Sequence, residues 1–172
     1  LPKAQDILPY LERIDAARWY SNFGPLEQSL RVRMAEHFNI TTECVATASS
    51  ATSGLTAVLR ALNLPRDSLC LVPSWTFIAS PASAIAAEMV PYFLDVEEST
   101  WMLDPLSVQR QLSRINGVIG AVIVVAPFGR PVDLAAWDQF TAQTSIPVVV
   151  DAASGFDSFR NATFGKTAVV FS

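Results

Sequence analysis

The feature that most constrains this fold is a regular alternation of short apolar runs with segments of helical periodicity. Runs of Val, Ile, Leu, Phe and Ala are typical of strands that are buried on both faces of a parallel sheet. Helical segments between such strands predict right-handed crossovers that cover the sheet. The apolar runs are Cys44–Ala48, Leu69–Val72, Val90–Leu94, Ala121–Val125, Val148–Val150 and Ala168–Phe171.

The alternation predicts an α/β fold, with a mostly parallel sheet and helices on both faces. We expect a segment with one helix over residues 1–40, followed by a large α/β domain over residues 41–172. The early helix follows Gly24-Pro25, where proline takes its favoured position near a helix start. The predicted helices are Leu26–Phe38, Ser53–Leu62, Phe77–Ala87, Asp104–Leu112 and Asp133–Thr144.

Composition narrows the class of function. The formal net charge is −4 and the arginines are scattered, so we expect no nucleic-acid surface, which needs a concentrated basic stripe. No apolar run approaches the roughly 20 residues that cross a bilayer, so we expect no membrane span. The sequence begins at Leu1 without a charged-then-apolar leader, so no signal peptide is expected.

Cys44 and Cys70 both lie in apolar runs, where we expect them to be buried, reduced thiols. The sequence has a single histidine, His37, and no metal-ligand spacing, so no metal site is predicted. Reduced thiols indicate a cytoplasmic protein.

Ligands of open α/β sheets bind beyond the carboxyl ends of the strands, so the residues that follow each strand are the candidate site. The first run continues into a cluster of small hydroxyl residues, Thr47–Ser53, at a predicted helix start. Free backbone N–H groups and the helix dipole make such a turn a phosphate cradle. Ordinary N-capping by Ser50 or Thr52 is the alternative interpretation.

Two further strand ends carry candidate side chains. The run Leu69–Val72 leads to Trp75 and Phe77, which can stack on a flat heterocycle or simply pack in the core. Asp151 closes the apolar run Val148–Val150, and a buried carboxylate needs a partner. That partner is a helix N-terminus, a basic side chain or a cationic ligand nitrogen.

Seven weak motifs in consistent order resemble the DegT/StrS family of nucleotide-sugar aminotransferases, which have the type I fold of pyridoxal-phosphate enzymes. Val72–Phe77 is similar to the "PS-x-TF" signature, and Val150–Ala153 to the "EDAA" strand end. The other matching segments are Arg18–Leu26, the hydroxyl turn before Ser53, Pro91–Val96, Leu103–Pro105 and Phe128–Asp133.

The resemblance implies pyridoxal 5'-phosphate as the cofactor. Asp151 would pair with its ring nitrogen, and Phe77 would stack on the ring. The phosphate would be held by Ala51, Thr52 and Ser172. The implied reaction moves an amino group, usually from glutamate, to a keto group of a nucleotide-linked sugar, and the implied assembly is a homodimer.

Three positions depart from the family pattern. Ala51 replaces a glycine before the phosphate-binding threonine, and Ser154 replaces a glutamine that contacts the ring oxygen. Ala126-Pro127 stands where a histidine usually precedes the aromatic–glycine pair. A non-catalytic binding or regulatory relative with the same scaffold is therefore the alternative function.

The resemblance places the Schiff-base lysine of the family a few residues after Ser172. The chain is therefore interpreted as a large domain that is truncated on its C-terminal side. In this interpretation it has no catalytic residue of its own. Its two lysines are Lys3 and Lys166, and Lys166 precedes the last strand, at the wrong edge of the sheet. A Rossmann-type nucleotide binder is disfavoured because no Gly-x-Gly-x-x-Gly turn follows the first strand.

Overall fold

The structure, a computed structural model, describes residues 2–172. The chain forms two compact units, Leu1–Thr47 and Ala48–Ser172. The first contains helices α1 (Ala4–Ala17) and α2 (Pro25–Phe38) and a 3-10 turn, Thr42–Cys44. No helix among residues 2–172 combines the length and apolarity needed to cross a membrane.

Within the first unit, α2 ends at the predicted residue and begins one residue before the predicted start. Pro25 occupies the first turn, and Asn39 ends the helix in the left-handed conformation with φ 52°. Helix α1 was not predicted. It contains Pro9, and a proline inside a helical pattern indicates a break or kink, although α1 runs through it with none of its residues buried.

The strand predicted at Cys44–Ala48 is wrong. Val45 has extended backbone angles (φ −106°, ψ 123°), but the segment has no ladder partner within residues 2–172. The Arg31 guanidinium donates to the carbonyls of Val45 and Thr42 at 2.8 and 2.9 Å. A cationic side chain thus takes carbonyls that a strand would offer to a neighbour, and Cys44 is exposed rather than buried.

The second unit is built on a sheet of five parallel strands in the order β2-β1-β3-β4-β5. Five of the six predicted strands are therefore confirmed, with ends that shift by no more than two residues. The strands are β1 (Leu69–Pro73), β2 (Val90–Leu94), β3 (Ile119–Val125), β4 (Val148–Asp151) and β5 (Ala168–Val170).

Four helices accompany these strands, each within a few residues of its predicted bounds. Asp104 and Asp133 cap α5 and α6 by accepting the amides of Ser107 and Ala136, so these helices begin one residue after the predicted start. The helices are α3 (Ala51–Ala61), α4 (Ala79–Ala86), α5 (Pro105–Gln111) and α6 (Leu134–Thr144). Helix α3 precedes β1, and α4, α5 and α6 connect β1 to β2, β2 to β3 and β3 to β4.

Both faces of the central strands are covered. Alternate residues of β1 and β3, such as Cys70 and Ile123, pack in one core cluster with Leu55 and Leu59 of α3. Strand geometry points the intervening residues to the opposite face. These residues (Leu71, Val122, Val124 and Val150) are fully buried, so that face is covered as well.

The expected burial on both faces does not extend to β2. Val90 and Phe93 are exposed, and among the residues of this strand only Leu94 is buried. The reason is its place at the edge of the sheet, beside β1 alone. In contrast, β4 lies between β3 and β5, and all four of its residues are buried.

We predict that Cys70 resists thiol reagents in the folded protein. It is fully buried in the core cluster, and this burial raises the pKa of its thiol from 9.0 to about 12, so the reactive thiolate is scarce at neutral pH. Labelling followed by mass spectrometry should modify Cys44 in native conditions and Cys70 only in denaturant. The control variant Cys70→Ala should show the same labelling as the unmodified sequence in native conditions. Rapid labelling of Cys70 in native conditions would contradict its burial in the core cluster.

The same raised pKa makes stability depend on pH. The unfolded chain loses the Cys70 proton above the ordinary value near 9, whereas the folded chain keeps it until about 12. The free energy of unfolding should therefore fall as pH rises through this window. Cys70→Ala should remove this part of the slope, and an unchanged slope in this variant would contradict the assignment.

Candidate active site

Candidate side chains gather at the carboxyl edge of the sheet, as parallel strands require. Thr76 and Phe77 follow β1, Asp151 is the last residue of β4, and Ser172 lies two residues beyond β5. The register aligns Asp151 with Val125 on one side and Val170 on the other. The edge is therefore a continuous surface at which these residues come together.

Asp151 is a buried carboxylate without a cationic partner among residues 2–172. Its side chain is 6% exposed. One oxygen, Oδ2, accepts the Ser80 hydroxyl at 2.7 Å, and the other, Oδ1, accepts the Ala153 amide at 3.2 Å. Since a carboxylate accepts about four hydrogen bonds, both oxygens keep capacity for a further donor. The arrangement favours an additional positively charged or N–H partner.

Ser50 occupies the N-terminus of α3 as its cap. Its hydroxyl accepts the Ser53 amide at 3.2 Å, and its carbonyl accepts the Gly54 amide at 2.9 Å. The capping predicted for this turn is thus present, with Ser50 rather than Thr52 in the role. The amides of Ala51 and Thr52 precede the helical ladder and have no intrahelical acceptor. An anion at this turn would meet these two donors and the positive end of the helix dipole.

Helix α4 brings Asp151 and Thr52 to one region. Ser80 on its first turn donates to Asp151, and Ser83, three residues later, donates to the Thr52 carbonyl at 3.1 Å. Residues three apart on a helix are neighbours, roughly 5–6 Å between their Cβ atoms. Asp151 and the start of α3 are therefore linked through the same stretch of α4.

Sequence reasoning missed both serines. Their i, i+3 spacing immediately after the β1 strand end was the available signal, because it places two hydroxyls on one side of the predicted helix. The apolar context Ala79–Ala86 concealed it, since small residues in such a helix are usually packing residues.

Phe77 lies two residues before α4 and is 76% exposed. An aromatic ring that packed in the core would be covered, so the core alternative for Phe77 is not supported. Ala51 is half-buried in the first turn of α3, and Ser154 and Ser172 are exposed. No hydrogen bond within residues 2–172 joins the Ser154 or Ser172 side chain to Asp151 or Thr52.

The loop after β3 makes a close approach to Ser154. Gly129 has φ 80°, and a Cβ atom there would lie 2.7 Å from the Ser154 carbonyl oxygen. Phe128 before it also has a left-handed backbone, with φ 52°, and is 85% exposed. A bulky residue in this conformation is costly, so the loop is held in a specific shape at the candidate site.

The remaining candidates do not join this edge. Lys166 precedes β5, and its amide bonds Asp138 of α6, so it lies at the amino end of that strand. Among residues 2–172, no cluster of His, Cys, Asp and Glu side chains has the geometry of a metal site.

Comparison with known proteins identifies relatives over nearly the whole chain. The L-glutamine:2-deoxy-scyllo-inosose aminotransferase of Micromonospora echinospora is 29% identical over 173 residues, covering 95% of this chain and 40% of that protein. A crystal structure from Bacillus cereus ATCC 10987 superposes with a TM-score of 0.81 at 27% identity, covering 99% of this chain and 47% of that one. DesI, crystallised in the presence of its TDP-sugar product, gives a TM-score of 0.76 at 26% identity, covering 99% of this chain and 42% of that one.

The chain thus spans less than half the length of each of these proteins. The model of the DegT/DnrJ/EryC1/StrS aminotransferase family matches residues 3–172. This match and the similarity of fold confirm the resemblance seen in the sequence motifs: the chain belongs to the DegT/DnrJ/EryC1/StrS aminotransferase family.

Proposed function

We propose that the full protein transfers an amino group, from glutamate, to a keto group of a nucleotide-linked sugar with pyridoxal 5'-phosphate as cofactor. The observation that carries the proposal is the buried Asp151 carboxylate, which lacks a cationic partner within residues 2–172 and is linked through α4 to the N-terminal turn of α3, where an anion would meet free amides. A ligand with a basic ring nitrogen at one end and a phosphate at the other meets both requirements.

The chemistry of the donor set fits this cofactor. The carboxylate of Asp151 would hold the proton on the ring nitrogen, and the amides of Ala51 and Thr52 would hold the phosphate. The exposed ring of Phe77 offers a face for stacking and would shield the cofactor from water. Ser172, beyond β5, would add a hydroxyl donor for the phosphate. Pyridoxal phosphate, when bound, supplies an electron sink for the reaction at the substrate carbon.

Asp151 has the central electrostatic role in this proposal. A carboxylate beside the ring nitrogen favours the protonated, cationic form of that nitrogen. Low exposure strengthens the interaction, because little water competes for either group. Ser154 has a shorter side chain than the family's glutamine, so we assign it a weaker contact to the same cofactor. Lys166 lies at the opposite edge of the sheet, and we assign it no part in the reaction.

The names of two relatives support the proposed substrate class. DesI was crystallised in the presence of its TDP-sugar product, and the Micromonospora relative is named for amino transfer between L-glutamine and 2-deoxy-scyllo-inosose. The first name supports a nucleotide-linked sugar as the ligand class, and the second supports amino transfer to a cyclic substrate. A second candidate, a binding relative without catalysis, is favoured by Ser154 and by Ala126-Pro127 in place of the usual histidine.

We predict that the full protein, given pyridoxal phosphate, glutamate and a nucleotide-linked keto-sugar, forms 2-oxoglutarate in step with an amino-sugar product. Coupled assay of 2-oxoglutarate and mass spectrometry of the sugar would measure both. Omission of the keto-sugar is the control. Firm cofactor binding without turnover on any keto-sugar nucleotide or keto-cyclitol would instead support the non-catalytic alternative.

We predict that Asp151→Asn weakens binding of pyridoxal phosphate by roughly 10- to 100-fold, because it removes one charge-assisted hydrogen bond to the ring nitrogen. Fluorescence titration of the apoprotein would measure the dissociation constant. Asp157→Asn is the matched control, since it removes the same charge from an exposed side chain on the following loop. Equal affinities in the two variants would refute the role of Asp151.

We also propose that the full protein is a homodimer. Trp19, Tyr20 and Phe23 are 48%, 66% and 66% exposed in the first unit, and such aromatic side chains are enriched at subunit interfaces. Sedimentation velocity should give twice the monomer mass at micromolar concentration, and Tyr20→Ala with Phe23→Ala should weaken association. A monodisperse monomer of the full protein would overturn this proposal.

A further inference from the structure

We infer that Ser80 is a positioning residue for Asp151 and that Thr76 holds Ser80 in place. The inference rests on the proposed function, in which Asp151 pairs with the ring nitrogen of the cofactor. The three side chains form a chain of hydrogen bonds that runs from the β1 strand end through α4 to the end of β4. Its members are far apart in sequence, since Ser80 and Asp151 are separated by 71 residues.

The contacts in this chain of hydrogen bonds are short, and its end at Asp151 is buried. Thr76 Oγ1 lies 2.6 Å from Ser80 Oγ, and Ser80 Oγ lies 2.7 Å from Asp151 Oδ2. Ser80 is fully buried and Asp151 is 6% exposed. Water therefore offers little alternative to either contact, and a hydrogen bond to a buried charge has a large effect on where that charge is held.

The Asp151 carboxylate determines which hydroxyl is the donor in each of the two contacts. An ionised carboxylate only accepts, so the single hydroxyl proton of Ser80 points to Asp151. The 2.6 Å contact then requires Thr76 to donate to Ser80, in preference to its longer contact with the Phe77 carbonyl at 3.2 Å. Hydrogen bonds arranged head to tail polarise one another, so the Thr76 hydroxyl strengthens the bond from Ser80 to Asp151.

A comparison within α4 shows that the Ser80 contact is specific. Serine in a helix commonly bonds the carbonyl four residues earlier. Ser83 does this, donating to Ala79 at 2.7 Å as well as to Thr52. Ser80 instead donates to the side chain of Asp151, on another element. Helix geometry alone accounts for Ser83 and does not account for Ser80.

The consequence is a carboxylate fixed in orientation. The terminal torsion of aspartate is broad, so one contact from the neighbouring Ala153 amide leaves the carboxylate plane free to turn. Ser80 binds the other oxygen from a different element, and two donors on two oxygens set the plane. Without Ser80 the carboxylate would spend part of its time turned away from the ring nitrogen.

The test compares pyridoxal phosphate with its carbocyclic analogue, in which a CH group replaces the ring nitrogen. The analogue keeps the phosphate and the aldehyde, so the ratio of the two dissociation constants isolates the contact between Asp151 and the nitrogen. We expect Ser80→Ala in the full protein to reduce the preference for pyridoxal phosphate by roughly 5- to 10-fold. Thr76→Val, at a half-buried position, should reduce it by a smaller factor.

Ser68→Ala is the matched control. Ser68 is also buried, but its hydroxyl has no hydrogen-bond partner within residues 2–172 and it precedes β1, at the other end of the strand. It should leave the preference unchanged. If Ser80→Ala weakens both ligands equally, its role is packing and the inference is overturned; an unchanged preference overturns it as well.

Asp151→Asn in the same assay separates the inference from the proposed function. If this variant abolishes the preference while Ser80→Ala leaves it intact, the inference alone fails. If Asp151→Asn also leaves the preference intact, Asp151 does not contact the ring nitrogen. The role proposed for Asp151 then fails, and the inference fails with it.

Discussion

The structure depends on the double pairing of β4, which places a carboxylate at a buried strand end. Asp151 is aligned with Val125 of β3 and Val170 of β5. The Ala126 amide donates to the Asp151 carbonyl and the Ala152 amide donates to the Val170 carbonyl, each at 2.9 Å, so the ladder continues on both sides. Asp151 is only 6% exposed, so water hydrates the carboxylate little. A charge held in this position requires donors from the protein, and the hydroxyl of Ser80 and the amide of Ala153 are the donors it receives.

The same constraint explains how α4 relates the two ends of the candidate site. Ser80 and Ser83 lie in one eight-residue helix, so the separation between the Asp151 carboxylate and the Thr52 carbonyl is set by helix geometry rather than by a loop. Arg60 of α3 fixes the far end of α4, donating twice to the Ala86 carbonyl at 3.0 and 2.7 Å. Hydrogen bonds therefore link α3 and α4 at both ends, and through α4 they couple the turn proposed to bind phosphate to Asp151.

Apolar runs and caps made most of the second unit predictable from sequence. Asp104 and Asp133 identify helix starts, and uninterrupted runs such as Val148–Val150 identify central strands, because both signals are local. The strand predicted at Cys44–Ala48 is wrong because a strand also needs a neighbouring strand to pair with. The residues of this run do not indicate whether such a neighbour is present. Asp151 was predicted as a site residue because an isolated carboxylate in an apolar run needs a partner. Ser80 was not, since its partner is 71 residues away and only the tertiary structure brings the two together.

Two of the departures from the family pattern can now be evaluated in physical terms. Ala51 occupies the first turn of α3 with a right-handed backbone, so the position does not require the conformational freedom of glycine. The Cβ atom of Ala51 adds bulk beside the amide that an anion would contact. It affects how closely the anion can approach and leaves the conformation of the turn unchanged. At Ser154 the closely packed group is the backbone carbonyl and not the side chain. This carbonyl lies against Gly129, where it leaves no room for a Cβ atom. The backbone approach between the loop after β3 and Ser154 therefore does not depend on the length of the side chain at position 154.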